Sequence, residues 1–288
     1  MKKTLLALLL ATLTSVSFGK TLATVDGVAI DSAVVDETVK TITAASKGQI
    51  PDSPQLRQSL LQRMVVRTVV NNEARRLKLD ESAAYKNIIA QATADAERLG
   101  ENKKPTFERD FAVFKENLLE QAYADYVLKN KPVTDKETKA LYKEITKAYK
   151  GTQEVQLAEI VTQNDTDMQA VLSELRSGAS FLDLVQKYSI DEVAKKNKGI
   201  NGFVNLKDME VAAPQLYAVI KNLNKGQYTQ QPMVGNGLSV VFMVHDKRDA
   251  QIPAYETMKD NLKAQLQDER IQKNIADLMK KAKIQVNP

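Results

Sequence analysis

The sequence predicts an α+β protein in which a mainly helical domain is interrupted by a smaller module of strands and helices. Apolar residues recur at helical spacing over residues 20–150 and again over 252–288, whereas residues 152–248 alternate short apolar strands with helices. An amphipathic helix must bury its apolar stripe, so we expect the C-terminal helix to pack on the helical N-terminal part and complete that domain.

The first nineteen residues are typical of a cleavable export signal. Lys2 and Lys3 precede an apolar run over residues 5–13, and the small residues Ser17 and Gly19 indicate cleavage after Gly19. The run is shorter than the roughly 20 apolar residues that span a bilayer, and no later stretch is apolar enough, so we expect no membrane insertion. The chain has no cysteine for a lipid anchor, which favours the periplasm as the destination.

Composition and motifs exclude several chemistries. The chain has no Cys and one His, which excludes thiolate zinc sites, iron–sulfur clusters, Cys nucleophiles and multi-histidine metal sites, so no cofactor is expected. The GxSxG, P-loop, GxGxxG and HExxH motifs are absent. Removing Lys2 and Lys3 from 41 basic residues leaves 39 against 36 acidic residues. A formal charge of +3 produces only a weak electrostatic field, so it does not predict nucleic acid as a partner.

The N-terminal part is predicted to open with a strand hairpin. Residues 21–25 and 28–30 flank Asp26-Gly27, a pair typical of a two-residue turn. Apolar stripes then predict helices from residue 31 or 32, from Pro54, over 85–99, and from Phe107 to a stop at Pro132. Thr134 to Glu137 is a capping-box sequence that opens one more helix.

The pattern changes at Gly151. The run 155–161 is short and β-branched and the run 239–244 is strongly apolar, so both are predicted to be strands. Further elements are predicted in chain order: a helix ended by Gly178, a helix over 181–188, loops at Gly199, Gly202 and Asn205, a helix over 214–223, and a long helix from Tyr255 to Ala282.

Short motifs follow one another through this module in a characteristic order. Residues 175–191 fit L-x-x-G-x-x-F followed by S-x-D, and residues 199–203 read Gly-Ile-Asn-Gly-Phe. Residues 218–226 and 237–241 supply two further segments. In order and spacing these motifs resemble a parvulin-type peptidyl-prolyl isomerase, which implies a small antiparallel sheet with surrounding helices. The flanking parts are similar to the helical chaperone domain of SurA-like and PrsA-like exported foldases.

The resemblance implies an apolar pocket for a proline ring. Met209 stands at the family's pocket methionine, and Leu216 is the best match for its pocket phenylalanine. Phe203, in the glycine motif, is the third candidate substrate-binding residue. Phe242 or Met243 is a further candidate for the pocket. Each of these residues has an alternative interpretation as an ordinary core residue, which is the better one for Phe203, Phe242 and Met243. Met209 lies in a polar run, where an apolar side chain is less expected. This position favours a role in the pocket over a role in the core.

The resemblance also implies a polar centre, and here the chain departs from the family. Glu159 and Ser239 stand where parvulins carry histidines on the first and last strands, whereas Asp191 keeps the family's Cys or Asp position. These three are the candidate catalytic residues. Strand alternation places Glu159 on one face with Val155, Leu157 and Val161.

Two environments for Glu159 are open. If the two strands pair centrally, Ser239 can hydrogen-bond Glu159 beside Asp191, and two neighbouring carboxyl groups raise at least one pKa. The alternative places Glu159 in water at a strand end. In either environment, Met209 and Asp191 are expected to converge around the groove that holds the proline ring.

Two functions fit these observations. The first is an exported foldase that binds unfolded or proline-containing polypeptides and catalyses cis-trans isomerisation of Xaa-Pro bonds. The second is a holdase chaperone whose isomerase fold has lost turnover, which the replaced histidines favour. The sequence leaves the oligomeric state open, a homodimer included.

Overall fold

The computed structural model describes residues 19–287, which form two compact units. One unit extends to Asp135 and resumes at Lys263, and the other covers Lys136–Leu262. The export signal predicted over residues 1–19 therefore lies outside the described part, apart from Gly19. Within residues 19–287, none of the helices is long and apolar enough to cross a membrane.

The helices and strands of the described residues follow one another in this order. The N-terminal half contains β1 (Thr21–Val25), β2 (Val28–Asp31), α1 (Ser32–Ala45), α2 (Pro54–Arg76), α3 (Ala83–Leu99), α4 (Phe107–Asn130) and α5 (Asp135–Tyr149). The central part contains β3 (Gln153–Thr162), α6 (Asp165–Arg176), α7 (Phe181–Tyr188), α8 (Glu192–Lys196), β4 (Ile200–Asn205), α9 (Leu206–Ala212), α10 (Pro214–Ile220), β5 (Met233–Gly235) and β6 (Leu238–Asp249). The chain ends with α11 (Tyr255–Met279) and β7 (Ile284–Val286).

The predicted hairpin and helix starts are confirmed. Asp26 and Gly27 both have positive φ angles, 50° and 86°, as a two-residue turn of the primed type requires. Helix α2 begins at Pro54, and the Ser53 side chain accepts a hydrogen bond from the Leu56 N–H at 3.2 Å. Proline tolerates this position because the first helical N–H has no intrahelical acceptor.

The C-terminal segment completes the first unit, as its apolar stripe predicts. Leu278 and Ile284 pack against the cluster of Val25, Val65 and Val69 from the sheet and α2. Strand β7 pairs with β1, giving the antiparallel sheet order β2-β1-β7. The fold class is therefore confirmed: a helical domain closed by the tail of the chain, with an α+β module inserted between its two pieces.

The second unit is built on an antiparallel sheet of order β4-β3-β6-β5. The long strands β3 and β6 pair at its centre over the full length of β3. Helices α6 and α7 cover one face, where Ile160 and Val241 are fully buried. Helices α9 and α10 cover the other face through residues such as Met209 and Ile220.

The sequence interpretation missed the short elements of this fold, which are β4, α8, α9, β5 and β7. Residues 200–205 were expected to be loop but form β4, paired with β3. The polar run around Met209 is the short helix α9, and the chain end forms strand β7. Each is too short for periodicity to identify, and β4 and β7 need partner strands distant in sequence.

Candidate functional site

The two central strands present one face that changes from closed to open along its length. The register pairs Leu157 with Val244, Glu159 with Phe242, and Val161 with Val240. Leu157 and Val244 are buried beneath α9 and α10, whereas Glu159, Val161, Phe242 and Val240 are half-buried. The predicted alternation of Val155, Leu157, Glu159 and Val161 on one face is thus confirmed, because Ala158 and Ile160 belong to the opposite cluster.

Met209 and Leu216 lie together at the covered end of this face. Asn205 caps α9 by accepting a hydrogen bond from the Lys207 N–H at 3.0 Å, and the helix directs Met209 onto the sheet. Met209 is 4% exposed, in a cluster with Val155 and Leu157. Leu216 and Phe242 pack against the same cluster while remaining partly exposed.

Glu159 is a carboxylate set among apolar groups. Along β3 its neighbours on the same face are Leu157 and Val161, and across the sheet it faces Phe242. Its side chain is half-buried, so its environment is intermediate between the two that the sequence left open, a buried group and a group in open water. Among the described residues it has no ion-pair or side-chain hydrogen-bond partner.

Gly199 holds the edge of β3 at Glu159. Its carbonyl accepts a hydrogen bond from the Glu159 N–H at 3.1 Å. Its φ is +73°, and a Cβ at this position would lie 2.7 Å from the Glu159 carbonyl oxygen and 2.9 Å from Val185 Cγ2. Only glycine fits, both for its backbone conformation and for the space available. The first glycine of the 199–203 motif therefore fixes the strand segment that carries Glu159.

Asp191 lies beside the C-terminal end of β3. The N–H of Ile190 donates to the Val161 carbonyl at 2.9 Å, which puts Asp191 next to the open end of the face. Its Oδ1 accepts hydrogen bonds from the N–H groups of Val193 and Ala194 at 2.8 and 3.1 Å and so caps α8. Asp191 and Met209 are therefore at opposite ends of the face, with Glu159 between them, and the expectation that they converge around one groove is wrong.

The structure does not bring Ser239 or Phe203 to this face. Ser239 pairs with Thr162, three register positions from Glu159 and on the opposite face, so the expected hydrogen bond between Ser239 and Glu159 does not form. Phe203 pairs with Gln156, and the Arg248 guanidinium lies 3.6 Å from its ring centroid. The register explains both results, since a one-residue step along a strand reverses the direction of a side chain.

Phe203 instead lines a separate cavity of about 350 Å³ in the same unit. Tyr149 and Asp208 line it too, and the Tyr149 hydroxyl donates a hydrogen bond to Asp208 Oδ1 at 2.7 Å. This bond to a carboxylate raises the pKa of the Tyr149 phenol, because the neutral phenol is the donor. It also fastens α5 to the helix that carries Met209.

Thr229 is a site residue that the sequence interpretation missed, and Phe242 is one for which it preferred the wrong alternative. Of its two interpretations, core residue and pocket residue, the first was preferred, but Phe242 lies partly exposed opposite Glu159 and beside the Met209 cluster. The Thr229 Oγ1 accepts a hydrogen bond from the Phe242 N–H at 3.1 Å, and the Thr229 N–H donates to the Phe242 carbonyl at 2.8 Å. Alternation within β6 groups Val240, Phe242 and Val244, but only the β3–β6 register shows which residue faces Glu159.

The site contains no arrangement suited to covalent catalysis. The polar groups near the open face are the carboxyl groups of Glu159 and Asp191, and one oxygen of Asp191 already caps a helix. In the part of the chain that the structure describes, no cluster of three His, Cys, Asp or Glu residues could hold a metal ion. The geometry is that of a binding face: partly exposed apolar side chains beside a buried cluster, with one free carboxylate next to them.

Comparison with known proteins gives consistent matches. The family model described as a PPIC-type PPIase domain matches residues 133–260. A probable parvulin-type peptidyl-prolyl cis-trans isomerase of Bordetella bronchiseptica is 29% identical over 271 residues, covering 93% of this chain and 94% of that protein. Foldase protein PrsA 2 of Bacillus cereus is 25% identical over 224 residues, covering 76% of this chain and 68% of that protein.

The solved structures that match are more distant in sequence. A PrsA peptidylprolyl isomerase from Bacillus cereus is 19% identical, with 94% of this chain and 95% of that chain covered and a TM-score of 0.39. A chain from the Campylobacter jejuni study of two SurA-like chaperones is 18% identical, with 93% and 100% covered and a TM-score of 0.33.

Proposed function

Because the chain carries a parvulin-type peptidyl-prolyl cis-trans isomerase domain, we propose that the mature protein is an exported foldase that accelerates rotation about Xaa-Pro bonds in unfolded client chains. One observation carries this proposal. Met209, Leu216 and Phe242 pack in one apolar cluster on the sheet, with Leu216 and Phe242 partly exposed and Glu159 beside Phe242. We assign this place as the cleft for the proline ring, with Glu159 at its rim. Such a cleft suits a proline ring, which is compact and apolar.

Rotation about a prolyl bond needs no nucleophile and no proton transfer. The barrier arises because amide resonance must be broken, and uncatalysed exchange takes tens to hundreds of seconds. A protein accelerates it by holding the ring while stabilising the twisted, less delocalised amide better than either planar form. In this assignment Met209 and Leu216 hold the ring against Phe242. Glu159 and Asp191 are the polar groups that position the flanking backbone.

The helical unit is proposed to bind the client chain more broadly. On α4 the rings of Phe107, Phe111 and Phe114 stack in a row, with centroids 5.2 and 5.7 Å apart. Phe114 is 37% exposed and the neighbouring Val113 is 45% exposed. A row of partly exposed aromatic rings can contact unfolded chains through shape and apolar area with little sequence readout. We assign this role to the domain formed by residues 20–150 and 252–288, and isomerisation to residues 152–248.

The location and assembly follow the sequence signals. The predicted cleavage after Gly19 would release the mature chain into the periplasm. A homodimer is compatible with this role, and light scattering of the purified mature chain decides between a monomer and a dimer.

A holdase without turnover is the second candidate function. The observation that favours it is the replaced polar centre: Glu159 faces the cleft where the family carries a histidine, and Ser239 lies on the other side of the sheet. In this function the same cleft would bind proline-containing segments without accelerating their rotation.

One paired experiment separates the two functions. The mature chain is assayed for cis-trans exchange of a prolyl tetrapeptide and, in parallel, for suppression of aggregation of an unfolded client protein. The foldase predicts both activities, because the cleft and the exposed aromatic row act on different features of a client. Suppression of aggregation with no acceleration of exchange establishes the holdase, and neither activity contradicts both assignments.

A further inference from the structure

We infer that Glu159 selects clients in which an arginine or lysine lies directly beside the isomerised proline. The inference rests on the proposed function only in that it places the proline ring at Met209, Leu216 and Phe242. It adds a preference for the neighbouring residue.

Charged side chains are few on the face that carries Glu159. The positions of β3 and β6 that share it carry three charged side chains, Glu159, Lys247 and Asp249, and the last two lie at the end of the face away from Val161. The Lys247 ammonium is bound by the carbonyl oxygens of Lys221 and Leu223, at 3.1 and 3.2 Å. Glu159 has no such partner among the described residues. Glu159 is therefore the charged side chain of these two strands that lies on the open part of the face, and it has no cationic partner there among the described residues.

Desolvation of the Glu159 carboxylate favours a cationic ligand. A half-buried carboxylate without a hydrogen-bond or cationic partner has lost part of its hydration without compensation, which costs free energy. A ligand cation that pairs with it recovers this cost, so the pair is worth more than one between two fully exposed groups. The site is fixed in space, because Gly199 binds the Glu159 backbone and Thr229 binds that of Phe242.

Apolar surface lies beside the carboxylate. Beyond Glu159 the same face continues as Val161, Val240 and Met233, which pair in register across β3, β6 and β5 and are all half-buried. Arginine and lysine side chains combine an apolar stem with a cationic head. Such a stem can lie on this surface while the head reaches Glu159, and the Phe242 ring adds a cation–π contribution. A neutral apolar side chain would fill only half of this site, and an acidic one would be repelled.

The test compares peptides that differ only in charge. Cis-trans exchange is measured by NMR on tetrapeptides with arginine, its neutral isostere citrulline, or glutamate placed before the proline, and on a second set with these residues after it. We expect kcat/KM for the arginine peptide of at least one set to exceed that for citrulline about fivefold, with glutamate lowest and the difference shrinking at high salt.

Two variants assign the preference to its residue. Glu159→Gln is expected to bring the arginine-to-citrulline ratio to within about twofold of unity, because it removes the charge and keeps the shape. Glu210→Gln is the matched control: Glu210 is an exposed neighbour of Met209 on α9, and its removal should leave the ratio unchanged. Circular dichroism and thermal unfolding confirm that both variants fold.

The outcomes separate this inference from the proposed function. If no peptide is turned over, the dissociation constants of the same labelled peptides, measured by anisotropy, replace kcat/KM. An arginine preference in binding then supports the inference and contradicts the foldase. Turnover with equal values for arginine and citrulline in both sets overturns the inference alone. A preference that survives in Glu159→Gln also overturns it.

Discussion

Gly199→Ala is expected to lower the free energy of unfolding of the α+β module by about 3–5 kcal/mol, a large effect for one added methyl group. The new Cβ would lie 2.7 Å from the Glu159 carbonyl oxygen, a backbone atom that cannot move without displacing β3. The positive φ of +73° adds strain of about 1 kcal/mol or more for any residue with a Cβ. Because β3 is a central strand, the displacement should also weaken isomerase activity.

Gly178→Ala is the matched control for this prediction. Gly178 has a φ of +90°, and a Cβ there would meet nothing within 4 Å. It should therefore cost only the conformational strain, about 1 kcal/mol. Hydrogen exchange of the Glu159 and Ile160 amides reports the stability of this module without assuming that both units unfold together. Equal effects of the two substitutions would contradict the close packing of Gly199 on β3.

Met209→Ala is expected to lower kcat/KM for a prolyl peptide by about tenfold or more, because the proline ring loses one wall of its cleft. The same substitution should reduce stability by about 2–5 kcal/mol, since Met209 is 4% exposed and packs against five other buried residues of its cluster. Activity is therefore measured at a temperature where the variant is fully folded, as judged by circular dichroism.

Met168→Ala separates lost function from lost stability. Met168 is 1% exposed and belongs to the cluster on the opposite face of the same sheet. Its replacement should cost a similar amount of stability and leave kcat/KM of the folded protein within about twofold. If both variants lose activity equally, Met209 is a core residue and does not contact substrate.

The sequence predicts the long elements of this fold well, and short-range signals explain why. The Asp26-Gly27 turn, the proline at the start of α2 and the apolar stripe of the C-terminal helix each act within a few residues. The short elements such as β4, α9 and β7 are not predicted, because their sequences are polar or ambiguous and their structure depends on distant partners. The insertion of the α+β module within the helical domain could be predicted from one physical requirement. The apolar stripe of the C-terminal helix must be buried, and the helical N-terminal part is the partner that can bury it.

For the candidate site, residue spacing predicts which side chains share a strand face but leaves the partner across the sheet undetermined. Glu159 is correctly placed beside Leu157 and Val161 by alternation within β3. Its neighbour on β6 depends on register, and the register places Phe242 there instead of Ser239. Met209 stood out as an apolar residue in a polar run, which is the signature of a single helical turn docked on a sheet.

The most direct test is the response of methionine methyl groups to a bound proline. The mature chain is labelled with ¹³C at the methionine ε-methyl positions and titrated with a proline-containing tetrapeptide under conditions of turnover. The account predicts that the Met209 methyl signal shifts and shows nuclear Overhauser contacts to the proline ring, while Met168 on the opposite face is unaffected. Exchange accelerated at saturating peptide with an unperturbed Met209 signal would contradict the account, because the proline would then bind elsewhere.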